Sequence, residues 1–291
     1  MIRYYSALAL ILLFTACKEA KQAPLSKGMQ TETKPAPEPP APKAPELHYR
    51  ALSDKDSIGH ISKYFSAEQM AIILNLNRID ARHIGRLDTV IVPDTLGLDA
   101  KAYSPFPRSL PFLKGVHKII FFSYPAQYFA AYTYGEMERS GPTNMGRQNA
   151  QTPTGLYYTN WKSKKAISTV NDEWILKWNF NVINHGGVGW HEYSLPGYPA
   201  SHSCLRLHEE DALYLYTWAD QWVLESSTKI KVRGTPVVIY GKYPFGSRRP
   251  WRQLPEDPHA LDIKPETLQQ LVQDHMEEIM SNQQKREAQA Q

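Results

Sequence analysis

Beyond residue 17 the most nucleophilic side chain is Cys204, set in Pro199-Ala200-Ser201-His202-Ser203-Cys204-Leu205-Arg206-Leu207. A thiol becomes a working nucleophile when a base or an imidazolium beside it stabilises the thiolate. His202 is two residues away, which on an extended backbone puts both side chains on one face. His185, in Asn184-His185-Gly186-Gly187, lies nineteen residues upstream of Cys204, a separation that a hairpin or loop can fold back. The glycines beside it permit close backbone approach. Arg206 carries a planar fork suited to bidentate pairing with a carboxylate. The competing chemistry is a zinc peptidase built on His185, His191 or His202 with Cys204, and no HExxH or comparable ligand spacing supports it. A cysteine that merely packs is the bland alternative. His191 and His208 read as ordinary loop or helix-start residues without a role. Trp174, Trp178 and Trp190 suit either a substrate cleft or a core.

These residues need elements to hold them. From Val116 the chain is β-rich, with runs at 116–124, 128–134 and 229–240 separated by Pro125, Gly135, Gly141-Pro142 and Gly234. Short strands at regular spacing predict a β-sandwich or barrel. One helix is predicted from Glu209, behind an acidic first turn. A second follows Pro265, with Leu268, Leu271, Val272, Met276 and Ile279 on one stripe, and is expected to fray beyond Ser281. Upstream, 47–97 reads as strand, helix, helix and strand: 47–52, then 57–65, then a helix N-capped by Ser66 with Gln69 three residues on, then 88–92 closed by Pro93. Residues 98–114 form a proline-punctuated connector and 244–291 a C-terminal extension.

Composition bounds the function. The chain has 291 residues, 42% hydrophobic, 11% aromatic and 21% charged, which excludes a disordered protein. Its net charge of +4, from 33 Lys+Arg against 29 Asp+Glu, suits a polyanionic surface such as a cell wall or lipid headgroups, and is no nucleic-acid footprint. Two cysteines exclude a disulfide-dense scaffold, a four-cysteine zinc site and a four-thiolate iron–sulfur cluster. No cofactor or metal is called for.

Residues 1–16 read as a secretory leader, with Arg3 followed by the ten-residue apolar stretch 7–16, interrupted only by Thr15. Ten residues of helix cover about 15 Å, half of a hydrocarbon core. The end of the leader, Phe14-Thr15-Ala16-Cys17, resembles a bacterial lipoprotein lipobox, which implies cleavage before Cys17 and lipidation of its sulfur. The departure is Phe14, where that pattern usually has an aliphatic residue. Residues 17–46 then hold seven of the 22 prolines and no aromatic residue, the composition of a semi-extended tether. The expectation is an exported, periplasmic lipoprotein anchored to the outer membrane, with Cys204 as its only free thiol.

The block at 47–97 resembles a LysM domain, a small α+β (βααβ) module, on Asn75-Leu76-Asn77 and Ile91-Val92-Pro93. Lys55-Asp56-Ser57 stands where that family usually has Gly-Asp-Thr. The resemblance implies binding to peptidoglycan glycan. The segment His185 to Arg206 resembles the signature of the L,D-transpeptidase (YkuD-type) catalytic domain: a histidine, a spacer, Ser/Thr-His-Gly-Cys, an apolar residue, then Arg or Asn. Fifteen residues separate His185 from Ser201, within the family's spacer range, and Thr152-Pro153-Thr154-Gly155-Leu156-Tyr157 matches its upstream element. Ser203 replaces the family's glycine, so it needs either a negative φ or about 1 kcal/mol of strain.

The resemblance implies a mainly β fold, a β-sandwich with one or two helices, over 115–243. It makes Cys204 the nucleophile, His185 the base and the Gly186 carbonyl the group that orients it. The N–H groups of Ser203 and Cys204 form the oxyanion hole, Ser201 and His202 shape the turn, and Arg206 meets a substrate carboxylate. The implied activity is L,D-transpeptidation of peptidoglycan tetrapeptide stems: an acyl-enzyme on Cys204, release of D-Ala, and transfer to an amine of a second stem or of a wall-attached protein. Water as acceptor gives a carboxypeptidase or amidase. The third reading is a non-catalytic wall-binding lipoprotein.

Overall fold

The computed structural model of the protein describes residues 46–168 and 174–290. The leader 1–16, Cys17 and all but the last residue of the 17–46 tether lie outside the described residues. The chain enters as β1 (Tyr49–Leu52) and α1 (Lys55–Gly59), whose first turn is capped by Asp54 accepting from the Ser57 N–H at 2.8 Å. Helix α2 (Ala67–Asn77) opens on the predicted capping box: Ser66 N–H donates to Gln69 Oε1 at 2.9 Å, and Gln69 N–H donates to Ser66 Oγ at 3.3 Å. Strand β2 (Val90–Pro93) then pairs antiparallel with β1. Asn77 is buried and pins α2 to β2, its Nδ2 donating to Ile91 O at 2.8 Å and its Oδ1 accepting from Ile91 N–H at 2.9 Å.

The chain continues through β3 (Lys118–Ser123), β4 (Tyr128–Thr133), β5 (Glu136–Pro142), β6 (Gly155–Tyr158), β7 (Lys162–Ile167), β8 (Ile175–Ile183), β9 (Val188–Glu192) and β10 (Leu205–Leu207). Helix α3 (Glu209–Trp218), the two-stranded ribbon β11 (Val223–Leu224) and β12 (Ile230–Val232), strand β13 (Pro236–Tyr240), α4 (Pro265–Val272) and α5 (Met276–Ala290) complete it. Five strands form one sheet in the order β5-β4-β3-β13-β6, and four form a second in the order β10-β9-β8-β7. The predicted run at 229–240 is thus two strands in different sheets, broken around Gly234.

The five-stranded sheet is buried on both faces, and its alternation shows why. Ile120, Phe122, Phe129 and Ala131 face Phe180, Val182, Trp190, Leu205 and Leu207 of the second sheet, together with Ala212 and Leu215 of α3. Their neighbours Ile119, Phe121, Ala130 and Tyr132 face Leu110 and Leu113 of the connector and Leu268, Val272 and Ile279 of α4 and α5. The tail beyond Ser281 stays helical because it has partners: Asn282 Oδ1 accepts from Arg233 N–H at 2.8 Å and Arg286 donates to Gln221 O at 2.8 Å.

The block 46–97 packs on the sandwich through Arg78, which ends α2 in the left-handed region at φ 57° and is 2% exposed. Its Nε donates to Ala126 O at 2.9 Å and its guanidinium lies 4.8 Å from the Tyr128 ring and 5.1 Å from that of Trp251. Burial pulls the guanidinium down to about 10, so it remains a cation at neutral pH. Arg78→Ala removes these bonds and leaves carbonyls buried without donors, at a cost of about 3 kcal/mol. In a thermal melt this lowers Tm by roughly 6–12 °C, and Arg78→Met, which refills the space, does not restore it.

Candidate active site

Burial decides which side chains reach the thiol. Strand β10 pairs parallel to β9, with Leu205 opposite Trp190 and Arg206 opposite His191. Leu205, Leu207 and Trp190 are each 0% exposed and face the core. Period-two alternation then sends Cys204, Arg206, His191 and Tyr193 to the other face. There Leu176, His191, Tyr193, His202, Cys204 and Arg206 line a narrow cavity of about 20 Å³. A larger cleft of about 570 Å³, bounded by α2, β5 and the start of α3, holds acidic residues such as Glu138, Glu209 and Asp211 but no thiol.

The turn carrying Cys204 is held from inside. Ser201 Oγ donates to Cys204 O at 2.6 Å. Thr152 Oγ1 accepts from Gly146 N–H at 2.9 Å and donates to Ser203 O at 2.8 Å, so the Thr-Pro element upstream of β6 is a brace for this turn. Ser203 adopts φ 88°, the strained option of the two expected for it. Among the described residues, the backbone N–H groups of Ser203 and Cys204 donate to no other group.

Burial keeps both Cys204 and His191 neutral at rest. Burial pushes the Cys204 thiol up, against a smaller lowering by the Gly189 backbone hydrogen bond and by Arg206. Burial pushes His191 down to about 4, outweighing the opposing hydrogen bond with Glu192. His191 Nδ1 sits 2.9 Å from Glu192 O, a contact that assigns the proton to Nδ1 and leaves Nε2 as the basic nitrogen. His202 is lowered too, by burial and then by Arg147 and Arg206, and packs 5.7 Å from the Trp174 ring. The Arg206 guanidinium lies over the Tyr193 ring at 4.5 Å, and no described carboxylate pairs with it.

The structure brings Cys204, Ser203, His202, Ser201 and Arg206 together, and places His185 and Gly186 elsewhere. Both are exposed in the four-residue turn Asn184-His185-Gly186-Gly187 that joins β8 to β9, and neither lines the cavity. The imidazole that shares the cavity with Cys204 at the β9–β10 pair is His191, and the carbonyl beside its Nδ1 is that of Glu192. Gly186-Gly187 between two β runs is itself a hairpin-turn signal. Of the three tryptophans, Trp190 belongs to the core, Trp178 packs against it and Trp174 lines the cavity. Among the described residues, no cluster of three or more His, Cys, Asp or Glu is arranged to hold a metal ion.

Residues 117–239 match the family model of the YkuD L,D-transpeptidase catalytic domain. Among solved structures, similarity extends to the L,D-transpeptidase (Yku) from Stackebrandtia nassauensis, at 20% identity and TM-score 0.36 over 44% of this chain and 57% of that one. The L,D-transpeptidase from Mycobacterium smegmatis matches at 20% identity and TM-score 0.34, over 43% and 59%. L,D-transpeptidase 3 from Mycobacterium tuberculosis, in complex with a faropenem-derived adduct, matches at 19% and TM-score 0.35, over 43% and 61%. The chain thus spans under two thirds of the length of these structures. No curated protein matches it.

Two measurements check the geometry. Because burial raises the Cys204 thiol, its alkylation by iodoacetamide, followed by peptide mass spectrometry, keeps accelerating beyond pH 9 instead of levelling near neutrality. Ser203→Gly relieves the positive φ and raises unfolding free energy by about 1 kcal/mol in urea melts.

Proposed function

We propose that this protein is a cysteine-dependent L,D-transpeptidase of peptidoglycan stems, with Cys204 as nucleophile and His191 as base. The observation that carries the reading is the meeting of these two groups in one cavity at the parallel β9–β10 pair, inside the matched segment 117–239. Cys204 Sγ attacks the carbonyl of the third residue of a tetrapeptide stem, and its proton passes to His191 Nε2. The new oxyanion meets the N–H groups of Ser203 and Cys204, each worth roughly 10²–10³-fold in rate. The C–N bond breaks, His191 returns the proton to the leaving amine, and D-Ala departs from a thioester. An amine of a second stem then attacks the thioester while His191 takes up its proton, giving a 3→3 crosslink and the free thiol. A wall-attached protein as the amine donor gives protein attachment by the same steps, and water gives stem trimming. Arg206, unpaired and stacked on Tyr193, is the partner for the stem's carboxylate.

The rest of the chain fits wall chemistry in this reading. Cys17 carries the lipid that anchors the protein to the outer membrane from the periplasmic side, 17–46 spaces the catalytic domain from the bilayer, and the LysM-like block 47–97 contacts glycan. The support is the leader and tether composition, together with the strand–helix–helix–strand order of the block.

Intact-protein mass spectrometry with a disaccharide-tetrapeptide tests the assignment. The wild-type chain and His185→Ala form an acyl adduct and release D-Ala. Cys204→Ala gives neither, and His191→Ala slows both by about 10²–10⁴-fold. A dead His185→Ala beside an active His191→Ala returns the base to His185, and a wild-type chain that never acylates sinks the reading. In the active enzyme the acid limb of kcat/KM lies well below pH 6.5, toward 4, because His191 stays unprotonated there.

A further inference from the structure

The loop from Tyr193 to Ala200 connects the base strand to the nucleophile turn, and it is held from two sides. On the sandwich side Asn144 grips it: its Nδ2 donates to Tyr198 O and its Oδ1 accepts from Ala200 N–H at 3.1 Å. The other side belongs to the block 46–97. Asp80 N–H donates to Leu195 O at 3.0 Å, and Asp80 Oδ2 accepts from Leu195 N–H at 3.0 Å. One residue thus satisfies both backbone groups of Leu195, whose side chain is 0% exposed. Ile79 forms a β-bridge with Pro196. Gly197 follows at φ 82°, and a Cβ there would lie 2.8 Å from Ile79 Cγ2, so the loop lies flush on the block. The other carboxylate oxygen of Asp80 is engaged by His83 Nδ1 at 2.6 Å and Arg82 Nε at 3.2 Å, which fixes its rotamer.

We propose that Asp80 is a positioning residue for the active site: by clamping Leu195 it fixes the loop that sets the relation of His191 to Cys204. This inference rests on the reading of those two residues as the reacting pair. The lever is short. Leu195 is three residues from Glu192, whose carbonyl holds His191 Nδ1, and two from Tyr193, which carries the Arg206 guanidinium and donates its own N–H to Leu207 O at 3.1 Å. A free Leu195 lets this segment drift and admits water to the cavity. Water reverses the desolvation that raises the thiol and lowers the imidazole. Geometry at the reacting atoms suffers as well, and a displacement of about 1 Å can cost as much as 10²-fold in rate. The block 46–97 thereby takes part in the chemistry without touching the reacting stem.

The test uses the full chain with Asp80→Ala, Asp80→Asn and Gly197→Ala, all checked for folding by circular dichroism. Two readouts are taken: the alkylation rate of Cys204 at pH 8, which needs no substrate, and turnover of the tetrapeptide stem. Asp80→Ala is expected to speed alkylation several-fold and to cut kcat by roughly 10–100-fold, with the acid limb of its pH profile moved up toward 6.5. Asp80→Asn keeps an oxygen for the Leu195 N–H and stays near wild type in both. Gly197→Ala displaces the loop from its own side, acts in the same direction as Asp80→Ala, and decides the matter if that variant fails to fold. Wild-type alkylation and turnover in folded Asp80→Ala and Gly197→Ala overturn the proposal. So does an Asp80→Asn as impaired as Asp80→Ala, which moves the effect to the ion pairs with Arg82 and His83. Alkylation that responds to Asp80→Ala in a chain whose wild type never processes a stem upholds the clamp and rejects transpeptidation.

Discussion

Leu205 and Leu207 must be buried, and the position of the thiol follows from that requirement. Strand β10 is only three residues long and has no sequence-local partner, so its register rests on these two leucines packing beside Trp190 and Phe180. A slip of one residue would turn Cys204 and Arg206 into the core and put leucines in the cavity. The cost of exposing two buried leucines, about 2 kcal/mol each, defends the register. The parallel pairing then requires a long crossover from β9, and that crossover is the segment 193–204, the loop 193–200 followed by the turn that carries Cys204. A strand this short cannot hold its own preceding turn, which explains the density of braces from Asn144, Gly146 and Thr152 around Ser201 and Ser203.

The same burial sets the electrostatics. Desolvation acts with opposite sign on an acid and a base, raising the thiol and lowering the imidazole, so the pair rests as thiol and neutral histidine. An imidazolium–thiolate pair would need a charge-stabilising partner, and the histidine's Nδ1 faces a carbonyl instead of a carboxylate. In the proposed mechanism, proton transfer is thereby tied to the moment of attack, when the oxyanion and its two N–H donors supply the compensation. A neutral buried thiol is also a poor target for oxidants, which react with the thiolate.

Much of this was legible in the sequence, for physical reasons that differ between elements. The Ser66–Gln69 box opens α2 because two local hydrogen bonds suffice to start a helix, and local bonds are written in local sequence. The runs that became β3 and β4 were visible for the same kind of reason, since apolar residues crowd a strand buried on both faces. The turn at 201–206 stood out through the types and order of its residues. The neighbour of Cys204 did not, because spacing along the chain favoured His185, whereas β9 and β10 are parallel neighbours that bring His191 to the same cavity, a tertiary relation that no spacing encodes. The helical tail beyond Ser281 was missed likewise, because Asn282 and Arg286 find their partners at Arg233 and Gln221, far away in sequence.

Arg78 shows how the block 46–97 and the sandwich came to depend on one another. A helix must stop where the chain turns toward Ile79 and Asp80, and α2 stops by placing Arg78 in the left-handed region. A glycine would do this with less strain, but it would leave Ala126 O without the donor that Arg78 Nε supplies and the Tyr128 and Trp251 rings without a cation between them. The strain at one backbone position is offset by hydrogen bonds and ring contacts that join two parts of the chain. Ile72, Leu76 and Ile91 of the block share an apolar cluster with Tyr103, Trp251 and Leu254, so the same surface that hides the guanidinium also continues the core. A module meant to swing freely on a tether would keep that face polar. Here the face is apolar with a cation at its centre, and the chain leaving it runs directly into the residues that hold Leu195.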